Sequence, residues 1–384
     1  MSICVSKIPP YLCCGEGSIG KLKELVTKEN ARNVIVVTDE NIRAAGLLEP
    51  VLQFIREAGA DFHVFDDVAP EPTHQQVQQL VDRMEALQGD LIVAIGGGSV
   101  MDAAKLCAVL KGNALSVKAL LEDPSKARKT LRSVMIPTTC GTGSEATCNS
   151  IVAIPEQGIK VGIVSDEMIP DYCLLDPTLL KTLPPSLIAA TGVDALAHAV
   201  ECYTSNKANP ISDVYAQTSA TLIFQNIVRA YQNPGDMEAM RNMMIGAFYG
   251  GAAITASGTT AVHALAYPLG GKFRIPHGVS NAILLAHVME FNMDACLNRL
   301  AELCDAVEPN LASRPTEEKA RYIIETIAAI VRETNIPTTL SEYGVTSDSL
   351  DFLTEAASKV TRLLNNNCKP LSLDDIRGIY RKVL

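Results

Sequence analysis

The sequence predicts an α/β N-terminal domain over residues 1–183 followed by an all-α C-terminal domain over residues 184–384. Two observations carry that expectation. Up to about residue 180, short β-rich runs alternate with helical stretches; after D-P-T-L-L-K-T-L-P-P the texture changes to long Ala/Leu-rich segments with hardly a convincing strand. The pair Pro184-Pro185 marks the boundary, and 384 residues suffice for two domains with substantial cores.

V-I-V-V-T (34–38), D-F-H-V-F (61–65), L-I-V-A-I (91–95) and S-V-M-I-P (133–137) read as strands, with helical stretches at about 41–58 and 74–87 between the first three. Strand, helix and strand in repetition mean a parallel sheet with crossover helices. S-I-V-A-I (150–154) and K-V-G-I-V (160–164) bracket the turn P-E-Q-G and read as a hairpin. Beyond Pro185 an all-helical bundle follows, and the cleft between the two parts is the expected meeting place of their ligands.

A net charge of −10 argues against nucleic acid or an anionic membrane as the main partner. The start M-S-I-C-V-S-K-I-P-P-Y lacks a signal-like charged region followed by an apolar one, and no apolar run reaches the length of a membrane span. A cytoplasmic protein is expected. The eleven cysteines show no C-x-x-C pair, so free thiols in a reducing compartment are the expectation; Cys140 and Cys148 flank a glycine-rich segment and read as buried small hydrophobes or as oxidation-sensitive.

Two segments compete as a phosphate loop. Gly15-Glu16-Gly17-Ser18-Ile19-Gly20 matches G-x-G-x-x-G, with Asp39 at a strand end about 20 residues on, as a dinucleotide fingerprint requires. Its upstream segment I-P-P-Y-L-C-C has two prolines and little β-character. In the rival L-I-V-A-I-G-G-G-S-V-M-D-A-A-K, a buried strand runs into Gly96-Gly97-Gly98, and Ser99 is expected to cap the next helix. Three glycines remove every Cβ at that turn, so backbone N–H groups can approach a pyrophosphate. A tight βα turn is the alternative for both. Asp39 suits the adenosine ribose hydroxyls and would repel a 2′-phosphate, which favours NAD over NADP; a helix N-cap is its other reading. P-T-T-C-G-T-G-S-E-A-T (137–147) reads as a loop at the nicotinamide end of a cofactor, or as a plain Ser/Thr turn.

Asp194, His198, His263 and His277 have the types and spacing of ligands for one divalent metal. Asp194 and His198 are four apart among good helix formers and share a face. A carboxylate among Ala, Leu and Val is costly to bury unless a cation satisfies it. His263 and His277 flank a Pro/Gly-punctuated segment that a short loop would fold back, bringing both rings to one point. The alternative is a solvated i,i+4 pair and two ordinary histidines. Three of the chain's six histidines fall in these segments, while His63, His74 and His287 lack comparable surroundings.

G-G-G-S-V-M-D-A-A-K, P-T-T-C-G-T-G-S-E, G-V-D-A-L-A-H-A-V-E and H-A-L-A-Y-P-L-G-G-K-F-R-I-P-H-G-V-S-N-A together resemble the iron-containing (group III) alcohol dehydrogenases, in order and from near residue 7 to the C-terminus. The resemblance implies the dehydroquinate synthase-like, iron-type alcohol dehydrogenase fold: a dinucleotide-binding domain, a helical domain, and a divalent metal, Fe²⁺ or sometimes Zn²⁺. It implies that Gly96, Gly97, Gly98 and Ser99 hold the pyrophosphate, that Asp39 meets the ribose, and that Thr138, Thr139, Thr142, Thr147, Asp102 and Lys160 contact the NAD. The segment A-P-E-P-T (69–73) matches a loop near the adenosine half, with Glu71 where some relatives have Asn. Tyr267 stands where some relatives have a histidine near the substrate, and a phenol with a pKa of about 10 is a poorer proton shuttle. Arg274, three residues before His277, reads as a surface arginine or as a group selecting anionic aldehydes. The implied activity is metal-dependent, NAD-linked interconversion of a small alcohol or diol and its aldehyde, by a homodimer or larger homo-oligomer. A glycerol dehydrogenase-like polyol oxidoreductase or a reductase of a small anionic aldehyde is the alternative.

Overall fold

The computed structural model describes residues 3–384, in two compact units. One comprises Lys7–Thr139 and Gly143–Leu183; the other comprises Pro184–Leu384, with Cys140–Thr142 and the described N-terminal residues through Ser6.

The first unit is built on six parallel strands. In chain order it contains β1 (Tyr11–Cys14), α1 (Lys21–Lys28), β2 (Asn33–Val37), α2 (Glu40–Ala44), α3 (Leu48–Glu57), β3 (Asp61–Phe65), α4 (His74–Glu85), β4 (Leu91–Gly96), α5 (Gly98–Leu110), α6 (Val117–Glu122), β5 (Arg132–Pro137), the pair β6 (Asn149–Ile154) and β7 (Ile159–Val164), and β8 (Tyr172–Leu175). The sheet order is β1-β8-β5-β4-β2-β3; β6 and β7 form a separate antiparallel pair, the hairpin expected from the sequence. Alternate residues of each central strand face opposite layers. Ile35, Val37, Ile92 and Ala94 pack with α4, α5 and α6, whereas Val34, Val36, Val93 and Ile95 pack with α1 and α3. Both faces are covered, which is why these strands read as continuous apolar runs.

The direction of winding reverses between β2 and β4. In open α/β sheets a ligand crevice lies at the carboxyl ends of the strands flanking such a reversal. Here those ends carry Thr38-Asp39 and Gly96, with Thr38 Oγ1 donating to the Ile95 carbonyl at 2.8 Å.

Several expectations need correction. Tyr11–Cys14 is a strand despite the preceding prolines, because it is the sheet edge, where a missing N–H costs little. The strand β8 (Tyr172–Leu175) has four residues, too few to show a period in the sequence. The single helix expected at 41–58 is two helices, separated at Gly46, which takes φ +73°. Ser99 does not cap α5: Gly97 holds the cap position, and the Ser99 hydroxyl inside the first turn accepts from the Glu71 amide at 3.0 Å.

The second unit is helical: α7 (Pro185–Thr204), α8 (Pro210–Gln232), α9 (Met237–Ser257), α10 (Ala261–Phe273), α11 (His277–Val307), α12 (Thr316–Glu333), α13 (Leu350–Ser358), α14 (Thr361–Leu364) and α15 (Leu373–Val383). Helix α7 is buried on all sides from Ile188 to Ala190 and from Gly192 to Thr204, as the near-continuous apolar character of that segment requires. Small residues let its neighbours approach closely. A Cβ on Gly278, in the first turn of α11, would lie 2.2 Å from the Ala190 carbonyl oxygen, a backbone atom that cannot swing away. Among the described residues no helix is long and apolar enough to cross a membrane.

Candidate metal centre and nucleotide loop

Helix α7 supplies two of the four proposed ligands one turn apart, α10 supplies His263 from its first turn, and α11 begins at His277. The segment between the last two is not the expected loop. It is helix through Phe273, even across Pro268, and the chain reverses in the three residues Arg274–Pro276, with Arg274 exposed in the left-handed region at φ +55°.

The four side chains converge. Asp194 Oδ1 lies 3.8 Å from His198 Nε2, 3.7 Å from His263 Nε2 and 3.6 Å from His277 Nε2. Two ligands on one ion with bonds of about 2.1 Å at a tetrahedral angle stand about 3.4 Å apart, so the spacing matches a shared ion. Asp194, His263 and His277 offer ligand atoms all within 4.8 Å of one another. The rings of His198 and His263 stack at 4.6 Å between centroids, and His277 meets His263 edge-on at 5.3 Å.

Two residues missed in the sequence hold this cluster in place. Glu201, fully buried, stands seven residues after Asp194 on the same face of α7. Its Oε1 accepts from the Thr260 amide (3.0 Å), the Thr260 hydroxyl (2.7 Å) and the Val262 amide (2.8 Å), capping the start of α10. Its Oε2 accepts a short bond from His263 Nδ1, which leaves the Nε2 lone pair of that ring facing Asp194. This is the carboxylate–histidine arrangement that orients metal-binding imidazoles. Asn281, also fully buried, donates from Nδ2 to Asp194 Oδ1 at 2.6 Å and lies 3.2 Å from His263 Nε2 and 3.3 Å from His277 Nε2.

The electrostatics favour a cation. Burial opposes ionisation of Asp194, but the surrounding imidazoles of His198, His277 and His263 outweigh it and draw the carboxyl well below its usual range. Burial lowers His198 to about 4, so that ring is neutral near pH 7, as ligation requires. His263 responds oppositely: burial would lower it, yet the carboxylates of Glu201 and Asp194 raise it to about 9. Two buried anions therefore call for positive charge among these rings, which a divalent ion supplies. Tyr267 is buried, with its ring 6.2 Å from that of His277.

In the first unit the two glycine segments differ in where their amides point. At Gly15–Gly20 the Ser18 and Gly20 amides bond to Gly15 and Gly17 carbonyls, and the Ile19 amide donates to Oδ2 of the buried Asp176 at 3.2 Å. The Gly15 amide donates to the Leu175 carbonyl at 3.0 Å, so four amides of this turn are already engaged within the chain. At Gly96–Ser99 no side chain of the cap residue covers the start of α5, whose first amides have no acceptor within the helix. Gly96 has φ +158°, and a Cβ on it would meet Val100 Cγ2 at 2.7 Å, so this turn needs glycine.

The other predicted cofactor residues have varied partners within their own units. Asp39 caps α2, its Oδ1 accepting from the Asn41 (2.8 Å) and Ile42 (3.1 Å) amides. Lys160, nearly buried, pairs with Glu71 at 2.6 Å. Asp102 accepts from the Ser144 hydroxyl and, at 2.9 Å, from the Ile151 amide. Thr147 Oγ1 accepts from Lys105 at 2.9 Å. Thr138 is buried, its amide bonded to the Gly96 carbonyl at 3.0 Å, and Thr139 approaches Gly97. Thr142 belongs to the helical unit with Gly141, which packs on Thr191 of α7.

Burial raises the Glu145 carboxyl from 4.5 to about 7, Asp102 adding to the rise while backbone bonding and Lys105 oppose it. Between those values the folded chain retains a proton that the unfolded chain releases, so stability falls as pH rises through that window. Glu145→Gln is expected to flatten this slope and to exceed the wild type by about 1–3 kcal/mol at pH 8. Urea midpoints across pH 5–8 check it; parallel profiles for the two proteins would contradict it.

Comparison with known proteins agrees along the whole chain. Residues 9–177 match the model of iron-containing alcohol dehydrogenase, and residues 188–384 match that of the C-terminal part of the Fe-containing alcohol dehydrogenase family. The chain is 36% identical over 383 residues to long-chain-alcohol dehydrogenase 1 of Geobacillus thermodenitrificans, covering 99% of this chain and 96% of that protein. It is 29% identical over 377 residues to the NAD-dependent methanol dehydrogenase of Bacillus methanolicus, covering 98% and 99%. The alcohol dehydrogenase from Oenococcus oeni superposes with a TM-score of 0.93 at 28% identity, covering 100% of both chains.

Proposed function

This chain belongs to the iron-containing alcohol dehydrogenase family, and from that membership we propose that it interconverts a small primary alcohol or diol and its aldehyde by hydride exchange with NAD, using one divalent ion held by Asp194, His198, His263 and His277. The observation that carries the reading is the set of 3.6–3.8 Å separations from Asp194 Oδ1 to three imidazole Nε2 atoms. Fe²⁺ is assigned from the family; the donor set suits Zn²⁺ equally. Such an ion supplies a Lewis acid that eases loss of the alcohol proton and polarises the aldehyde carbonyl.

The chain's own residues have distinct tasks. Glu201 fixes the ring angle and tautomer of His263, Asn281 fixes the Asp194 carboxylate, and Tyr267 offers a hydroxyl on the same helix as His263. At the glycine turn, the amides of Gly97, Gly98 and Ser99 at the head of α5 hold the pyrophosphate, with Lys160 as the nearby cation. Thr138, Thr139 and Thr142 contact the cofactor, while Asp102 and Thr147 serve it by tying α5 to the following loop. We assign the working state to the cytoplasm, as a homodimer or larger homo-oligomer.

NAD is preferred to NADP because carboxylates of Asp39 and Glu71 flank the turn. Asp39→Asn keeps an acceptor for the α2 cap and removes the charge. It is expected to raise the NADP-to-NAD ratio of kcat/KM about tenfold, the equivalent of about 1.4 kcal/mol; an unchanged ratio in steady-state kinetics would remove Asp39 from cofactor choice. The function as a whole is tested by NADH absorbance with a panel of neutral and anionic small aldehydes, together with iron and zinc analysis of anaerobically purified protein. Turnover that scales with metal content supports the reading. Full activity in metal-free protein ends it.

A further inference from the structure

We propose that Cys296 and Cys368 form a reversible dithiol–disulfide couple, oxidised by low-molecular-weight disulfides. The two lie 72 positions apart in sequence, yet the segments that carry them are bonded together, and the Cys296 thiol donates to the Asn292 carbonyl one turn back at 3.3 Å. The backbone on either side is clamped. Asn292 Nδ2 donates to Asn367 Oδ1 at 2.9 Å, Asn367 Nδ2 returns a bond to Asn292 Oδ1 at 2.8 Å, and Lys369 Nζ binds the Asp294 carboxylate at 2.9 and 3.0 Å. Cys368 is therefore held by both neighbours against the turn of α11 that leads into Cys296.

Three features suit this pair to exchange chemistry. Cys296 is the one position inside α11 with non-helical backbone, φ −125° and ψ 25°, so a bond formed there does not have to break a regular helical turn. Cys368 is partly exposed and Cys296 buried, which separates a thiol that meets the oxidant from one that resolves it. The neighbouring Cys296 thiol draws the pKa of Cys368 down, while the Cys368 thiol and burial push that of Cys296 up, so Cys368 is the more readily ionised of the two. By contrast Cys140 and Cys148, the cysteines singled out beside the glycine-rich segment, are buried.

The exchange balances without a further reactant. The Cys368 thiolate attacks one sulfur of the small disulfide, breaking its S–S bond and releasing one thiolate, which takes up a proton. Cys296 then gives up its proton and attacks Cys368 Sγ, expelling the second small thiol. Two protein thiols are oxidised by two electrons, and one small disulfide is reduced to two thiols.

The test uses the reduced full-length protein, exposed to glutathione disulfide, quenched with N-ethylmaleimide and mapped by non-reducing peptide mass spectrometry. A Cys296–Cys368 cross-linked peptide is expected in the majority of chains, and dithiothreitol should remove it. Cys296→Ser should instead accumulate glutathione on Cys368, and Cys368→Ser should show neither product at this pair. The proposal fails if wild-type Cys368 retains glutathione while Cys296 is alkylated. It fails equally if both remain fully alkylable after the exposed Cys14 has reacted, since Cys14 reports in the same sample that the oxidant was active.

Discussion

Asp194→Ala is expected to empty the metal centre and to lower kcat/KM by at least about a thousandfold, several kcal/mol of lost activation. Asp194 faces all three imidazole Nε2 atoms, so its loss takes the negative charge out of the ligand set that anchors a cation. The fold should survive, because alanine keeps the helical backbone of α7 and leaves the Glu201 cap of α10 in place. Elemental analysis alongside circular dichroism and steady-state kinetics checks the expectation. A folded variant with a full complement of metal and near-normal turnover would show that the ion binds elsewhere.

The second large effect is expected at Glu201. Its alanine variant leaves the His263 Nδ1–H, the Thr260 hydroxyl and the amides of Thr260, Val262 and His263 without their acceptor in a fully buried site. Breaking such a cluster costs about 3–5 kcal/mol, and loss of an orienting carboxylate weakens metal affinity about 10–100-fold. Glu201→Gln retains an oxygen for the α10 amides and loses the charge beside His263, so it should recover much of the stability and little of the metal affinity. Thermal unfolding and chelator competition on the two variants separate these effects. Equal metal affinity in Glu201→Gln and the wild type would make Glu201 a helix cap and nothing more.

The contrast between Asp194 and Glu201 shows how far the residues could be read. Asp194, His198, His263 and His277 were legible because a carboxylate and three imidazoles are the donors a divalent ion takes, and the i,i+4 spacing places the first two on one face. Glu201 continues that face, but an acid near the end of a helix is ordinarily solvated, and its partners lie about 60 residues on. Asn281 carries even less signal, since an amide four residues after a ligand has no distinctive chemistry until the neighbouring helices are in place. In the other unit, the central strands were visible as apolar runs buried on both faces. The edge strand Tyr11–Cys14 was not, because its prolines are tolerated for a reason of sheet position alone. Ser99 was misread as a cap since its true partner, the Glu71 amide, arrives from another loop.

Asp176 bears on how glycine patterns in such chains should be searched. Its carboxylate is covalently part of the molecule, so at the Ile19 amide it acts as a resident counter-ion with an effective concentration that dissolved phosphate does not match. A sequence match to G-x-G-x-x-G therefore needs a companion question: whether an acid elsewhere in the same chain already fills the seat.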